Sequence, residues 1–341
     1  VIQARRWRTG LAAFGGIGVV LMIGVLSHAQ DMTPRPEPGP LVAQPIPLDT
    51  RNSGRRRLGR LDFAGGLMLG AGSSSGFGGL SDMVVTPAST PDRLAVTTVT
   101  DEGQLASFEI RFDPAGNLAG ADRLTMADLH EDGRTLGRAK ARGDAEGLAF
   151  ADGETLVAFE VDNRILAFVD PLDPAAPVRR LPLPQVVLEL PSGEGLEALA
   201  TADFGEEALL ALGGEQGMIW LCPRRAADAT GCRQITDRPP EALFRLTAIT
   251  HIPGSRDFVA LYRALDPLRG WRARIEHLAA GADGYRSENL ARLGGPLSVD
   301  NFEGVSVSPL SDGGGWRIYV LSDDNFRAGQ RTLLLAFDWR R

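Results

Sequence analysis

Residues 300–326 read DNFEGVSVSPLSDGGGWRIYVLSDDNF. The stretch writes Asp-Asn-Phe twice, and the carboxylates Asp300, Glu303, Asp323 and Asp324 stand at the edges of two apolar runs. The second run alternates, with Ile318 and Val320 on one face as in a half-buried strand. Between the runs, Ser311-Asp312-Gly313-Gly314-Gly315 has turn chemistry. Strand, turn, strand with acids at the strand ends is the unit to look for elsewhere.

The unit recurs. Segments 147–168, 195–221 and 246–278 each hold a short apolar strand, a Gly/Asp/Pro turn, a second apolar strand and a third alternating one. Segment 78–112 is the earliest copy. Aligning Glu146, Glu197, Thr247 and Glu303 gives steps of 51, 50 and 56 residues, close to the roughly 40–50 residues of a propeller blade. One such sheet cannot bury both faces, whereas several arranged radially can. The predicted fold is all-β, a propeller of five to six blades; a sixth blade would have to come from 115–143. A strand within 60–69 is expected to pair with the last blade and close the ring.

In such a ring, acids at one place in every repeat converge on the axis. The first set is Asp82, Glu146, Glu197 and Glu303, with Thr247 at the fourth unit. The second is Asp101, Glu160, Glu215 and Asp323, with Arg263 at the fourth unit. Acids at strand ends also cap turns and keep edges soluble, but acids in register across repeats favour an acidic channel.

Composition fits this reading. Hydrophobic residues make up 43% and charged residues 23%, as in a soluble globular chain, and 41 Gly with 22 Pro favour short strands and turns over long helices. A formal net charge of -7 argues against nucleic acid as a partner, because neutralising phosphates needs a basic surface. Arg5, Arg6 and Arg8 precede an uncharged apolar run over 11–26, and Ser27-His28-Ala29 then supplies small residues for cleavage. Residues 1–29 are therefore expected to be a signal peptide, with an uncleaved anchor as the alternative. That places the protein in the periplasm or outside the cell, with membrane association only through this segment. Residues 30–59, rich in proline, read as a linker with no core of its own, and 60–341 as the propeller. Arg55, Arg56, Arg57 and Arg60 form a solvated basic stretch or touch anionic lipid. Cys222 and Cys232 bracket a polar loop; a structural disulfide is expected, worth roughly 3 kcal/mol for so short a loop. A redox or metal pair is the alternative, but the spacing is not that of Cys-x-x-Cys.

The residues also resemble a family. Gly79-Leu80-Ser81, Thr100-Asp101-Glu102-Gly103, Asp144-Ala145-Glu146-Gly147, Gly195-Leu196-Glu197-Ala198-Leu199, Asp300-Asn301-Phe302-Glu303-Gly304 and Ser322-Asp323-Asp324-Asn325-Phe326 with Gln330-Arg331-Thr332-Leu333-Leu334 look like the "esterase-like activity of phytase" family of exported proteins. The resemblance spans nearly all of 60–341. It implies a β-propeller related to calcium-dependent phytases, which hydrolyse phosphate monoesters. The chain departs from the family pattern at Asp82, where Gly is usual, and at Val161-Asp162-Asn163 before Arg164.

Calcium takes six to eight oxygen ligands, and Asp101, Glu146, Glu197, Glu215, Glu303 and Asp323 are the candidate metal ligands. Glu160, Asp323 and Glu303 are the candidate catalytic acids. Arg164 and Arg263, taken as equivalent strand ends, are candidates to grip phosphate, while Arg331 is expected to pair with a neighbouring acid. Gly72-Ser73-Ser74-Ser75-Gly76 matches a nucleophile elbow by letter but lacks its strand–turn–helix context. His130, His251 and His277 show no ligand spacing. The expected protein is a monomeric, phytase-like hydrolase that uses Ca²⁺ in an acidic central channel on a small-molecule phosphate or other ester. The alternative is a non-catalytic propeller, stabilised by calcium, that binds a ligand or protein partner.

Overall fold

The computed structural model describes residues 39–72, 76–90, 92–137, 140–191, 194–224 and 230–340. The expected signal peptide and the start of the proline-rich segment lie outside the described residues, as do Ser73, Ser74 and Ser75. Among the described residues the chain forms five small antiparallel sheets in a ring, a five-bladed β-propeller with almost no helix. The inner strands of blades one to five are Leu80–Pro87, Ala145–Ala151, Leu196–Phe204, Arg245–His251 and Asn301–Pro309. Each touches the next, and the fifth returns to the first. Second strands follow outward at Arg93–Thr100, Glu154–Phe159, Glu207–Gly214, Phe258–Asp266 and Trp316–Asp323.

Blade five draws on both ends of the fold. Its third strand, Thr332–Trp339, pairs with Leu61–Gly70, which closes the ring as expected. Val42–Pro45 then adds a further edge strand on Leu61–Gly70. The boundary expected at residue 60 therefore falls inside the fold. Leu48 is fully buried, and Asp49 bridges to Leu297 while accepting the N–H groups of Arg51 and Asn52. Proline is compatible with this role because an edge strand leaves some N–H positions unpaired. Segment 115–143 yields no sixth blade among its described residues. It supplies the outer strand of blade one, Leu118–Asp128, and a small hairpin of His130–Glu131 with Arg134–Thr135.

The core is divided among the gaps between blades. Val99 meets Leu148 and Phe159 between blades one and two, and Leu156 and Ile165 meet Leu210 and Trp220 between two and three. Ile219 meets Phe258 and Tyr262, Ile275 meets Phe302 and Val320, and Tyr319 meets Val96 and Phe108 across the remaining gaps. Each large side chain so buried contributes roughly 1.5–3 kcal/mol, and every gap needs both of its blades.

One irregularity repeats in every inner strand. Pairing with the second strand skips Glu146, Glu197, Thr247 and Glu303 in blades two to five, and skips Ser81 and Asp82 in blade one. Such a bulge breaks the alternation and re-aims the extra side chain. The residue that follows is small in four blades (Gly147, Ala198, Ala248, Gly304) for a reason of space. A Cβ on Gly147 would stand 2.8 Å from that of Leu199 on the next inner strand. Acid-then-small is thus one device: the first residue turns toward the axis and the second lets adjacent blades meet.

Candidate functional site

At the end of the channel where the bulges lie, both sets of acids converge. Asp101, Glu146, Glu160, Glu197, Glu215, Glu303 and Asp323 line a single cavity of about 280 Å³, joined by Ser81, Arg263, Leu265, Trp271, Asn301, Asn325, Arg327 and Gln330. The bulges supply the inner ring. The ends of the second strands, and the turns that follow them, supply the outer ring. The two sets aligned from sequence therefore meet, apart from Asp82 and Thr247 of the first.

Asp82 is displaced by one position. In blade one the ladder runs from Leu80–Thr100 to Met83–Thr98, one extra residue as in the other blades, so Ser81 takes the bulge position and faces the cavity while Asp82 takes the place of the small residue beneath it. The Asp82 carboxylate is buried and accepts the N–H groups of Met83, Leu148 and Val305, from three different inner strands. Burial pushes its pKa well up, with those hydrogen bonds opposing. Asp82 ties inner strands together and is not available to a ligand in the cavity.

Arg164 is not brought to the cavity. It begins the third strand of blade two, whereas Arg263 lies on the second strand of blade four, so the two are not equivalent. The Arg164 side chain is 3% exposed, pairs with Asp162, donates to the Arg142 carbonyl at 2.5 Å and lies 4.1 Å from the centre of the Phe159 ring. Its role is to lock the blade-two hairpin. Arg331 pairs with Asp300 at 3.1 Å and donates to the Val299 carbonyl.

Electrostatics in the cavity are dominated by unneutralised carboxylate. Glu197, Glu303 and Asp323 are only 6%, 7% and 6% exposed. Burial pushes Glu146 and Glu197 well above the ordinary carboxylate range, and the neighbouring acids push further in the same direction. Asp323 rises to about 7, first from burial and then from Glu303, Asp101 and Asp324, with the Asn325 N–H opposing. Arg263 sets its Nε 2.8 Å from Glu303 Oε1 and holds back the rise at Glu303 and Glu215. Those carboxylates raise the Arg263 pKa in turn.

Two contributors were not singled out from sequence. Asp144 places a carboxylate oxygen within 4.8 Å of those of Glu146 and Glu160, a spacing a metal ion could bridge. Asn301 donates to Asp323 Oδ2 at 3.4 Å and also bonds Glu303. Each lies two positions before a bulge acid, Asp144 before Glu146 and Asn301 before Glu303, and that spacing was the available signal. The two Asp-Asn-Phe copies also separate. In the first, Asn301 enters the cavity and Phe302 enters the core. In the second, Asn325 enters the cavity, while Phe326 rests on Gly78 and Gly79. Gly79, at φ +60°, must be glycine, since a Cβ there would lie 2.2 Å from Asp101 Oδ1.

Away from the cavity, His277 pairs with Asp257 at 2.9 Å and packs edge-on against Trp339. Cys222 and Cys232 are bonded to each other, with Cα atoms 4.1 Å apart.

Fold and site together define a five-bladed propeller with a carboxylate-lined cavity at one end of its axis. The chain belongs to the phytase-like family described as "esterase-like activity of phytase", whose model matches residues 75–326. No curated protein matches the sequence. Among solved structures it is similar to the catalytic domain of the Coprinopsis cinerea GH62 α-L-arabinofuranosidase. That likeness has TM-score 0.50 and 14% identity, and covers 82% of this chain and 97% of the other. The RS223 β-xylosidase (TM-score 0.45, 12% identity, 76% and 92% covered) and the Clostridium thermocellum α-L-arabinofuranosidase CtGH43 (0.43, 12%, 70% and 81%) also match. At these identities the first likeness speaks to the fold alone.

Proposed function

We propose that the protein is an exported, calcium-assisted phosphoester hydrolase working in the axial cavity. The observation that carries this reading is the gathering of seven carboxylates and Arg263 around one small volume. So many acids are stable together only when protonated or when cations sit among them. The donor set is suited to calcium, being all oxygen with no His or Cys, and Asp144, Glu146 and Glu160 are close enough to share one ion. Family membership supports the hydrolase class. The Cys222–Cys232 bond supports export, because disulfides persist in oxidising compartments.

In this reading Asp144, Glu146 and Glu160 would hold the ion, with Glu197 and Glu215 on the same cavity wall. A bound calcium ion would polarise a phosphoryl oxygen and acidify a water. Arg263, oriented by Glu303, offers its outer guanidinium nitrogens to the phosphoryl group. Asp323 takes a proton from the attacking water as the new O–P bond forms. The ester P–O bond breaks, and that proton passes to the departing alcohol, leaving an alcohol and phosphate.

The test is to strip residues 30–341 with EDTA and follow phosphate release from phytate and p-nitrophenyl phosphate as calcium is restored, with p-nitrophenyl acetate as the carboxyl-ester control. Calcium-dependent phosphate release is expected. A melting temperature that rises with calcium, without turnover of any ester, would replace this reading with a calcium-stabilised binding propeller.

A further inference from the structure

Blade four departs from its neighbours in a way that sets what fits the cavity. In blades one to three the second strand ends at or just before its cavity acid, and the chain turns back at once through 101–103, 160–163 and 215–217. In blade four the ladder continues past Arg263. Ala264 pairs with Arg272, Leu265 with Trp271 and Asp266 with Gly270. Three added residues extend a hairpin by about 10 Å. Leu265 shares the strand face of Arg263, two positions on, and stands directly opposite Trp271; both line the cavity. Leu265 is 61% exposed, and Leu268 at the hairpin tip is 95% exposed. Among the described residues, Leu265 is the large apolar side chain that is both exposed and part of the cavity wall. The Arg263 guanidinium carbon lies 5.9 Å from the centre of the Trp271 ring.

We propose that this hairpin is a specificity shelf, and that the substrate is a monophosphate ester whose alcohol carries an apolar or aromatic ring. The inference rests on the hydrolase reading above and adds the substrate class. One phosphoryl group sits against Arg263, and its ring lies across Leu265 and Trp271. A polyol bearing many phosphates is disfavoured. Among the described residues, Arg263 and Arg327 are the cations in the wall, against seven carboxylates, so each further phosphate meets like charge. The volume of about 280 Å³ likewise suits a phosphate with one ring.

The experiment uses the calcium-loaded protein and two readouts. Binding of phenylphosphonate, methylphosphonate and phytate is measured by calorimetry, and kcat/KM is measured for phenyl phosphate, glycerol phosphate and phytate. Phenylphosphonate should bind at least tenfold more tightly than methylphosphonate. That preference should fall below threefold in Leu265→Ser and Trp271→Ala, and survive in Trp271→Phe. Leu265→Ser changes an exposed side chain, so it reports on the shelf without threatening the fold. Equal binding of the two phosphonates, or tighter binding and faster turnover of phytate, overturns the shelf. If phenylphosphonate binds preferentially but no ester turns over, the shelf stands and the hydrolase reading falls. Turnover led by phytate does the reverse.

Discussion

Blades three and four share a backbone plan and carry different chemistry on it. Both inner strands bulge at the same point and follow the bulge with alanine, Ala198 or Ala248. Blade three presents Glu197 and Glu215 to the cavity, whereas blade four carries Thr247 at the bulge and presents Arg263. The Thr247 hydroxyl donates to the Phe302 carbonyl at 3.1 Å, so that bulge is satisfied within the fold. The comparison shows that the bulge and the small residue after it belong to the propeller, while the side chain at the bulge is free to vary. It also gives the cavity two unlike sides, one of carboxylates and one with Arg263 and the hairpin.

Making blade four resemble blade three should break the function. Arg263→Glu is expected to lower phosphate release by about 10²–10³-fold, the usual loss when a donor to a developing oxyanion is removed. Circular dichroism with calcium present should show the fold retained. A smaller effect, on stability, is expected from Thr247→Glu. It loses the bond to Phe302 and buries an acid, costing about 3 kcal/mol in EDTA at pH 8; urea unfolding measures it, and calcium should recover part of the loss.

Acidity sharpens the same contrast. Asp323 has a pKa of about 7 in the fold, against about 3.9 for an unfolded aspartate. Between those values the folded chain holds a proton that the unfolded chain has released, so acidification favours folding. This contribution is complete below the unfolded value and is lost as pH rises through about 7. Glu146 and Glu197 are shifted in the same direction. In EDTA the melting temperature should therefore rise as pH falls from 8 to 5, and saturating calcium should flatten the slope. A steeper slope with calcium would mean that the ion does not sit among these acids. The smallest effect belongs to Glu215→Gln, under about 1 kcal/mol, because its burial and its repulsion from Glu160 and Glu194 are opposed by attraction to Arg263 and Arg245.

Much of this was legible in the sequence because the device is local. An acid followed by Gly or Ala, repeated at nearly constant spacing, marks both the inner strand and its cavity residue. Three things were not legible, and each turns on register. Whether Ser81 or Asp82 faces the axis depends on which of two adjacent residues takes the bulge position, and a shift of one residue reverses the faces of a strand. Whether an arginine lies on a second strand or begins a third depends on turn length, and this separates Arg263 from Arg164. The buried place of Leu48 depends on Leu61–Gly70 and the last blade already being in position. Composition alone reads its proline-rich surroundings as a linker.

The closure of blade five makes the cavity depend on both ends of the fold. Asn301, Glu303 and Asp323 all come from the blade that is finished only when Leu61–Gly70 docks beside Thr332–Trp339. The cavity is therefore complete only in molecules whose two distant strands have paired. A chain released early, or one whose first strand is misplaced, would lack it. Under the calcium reading proposed above, the ion would hold together only those molecules in which the two distant strands have met.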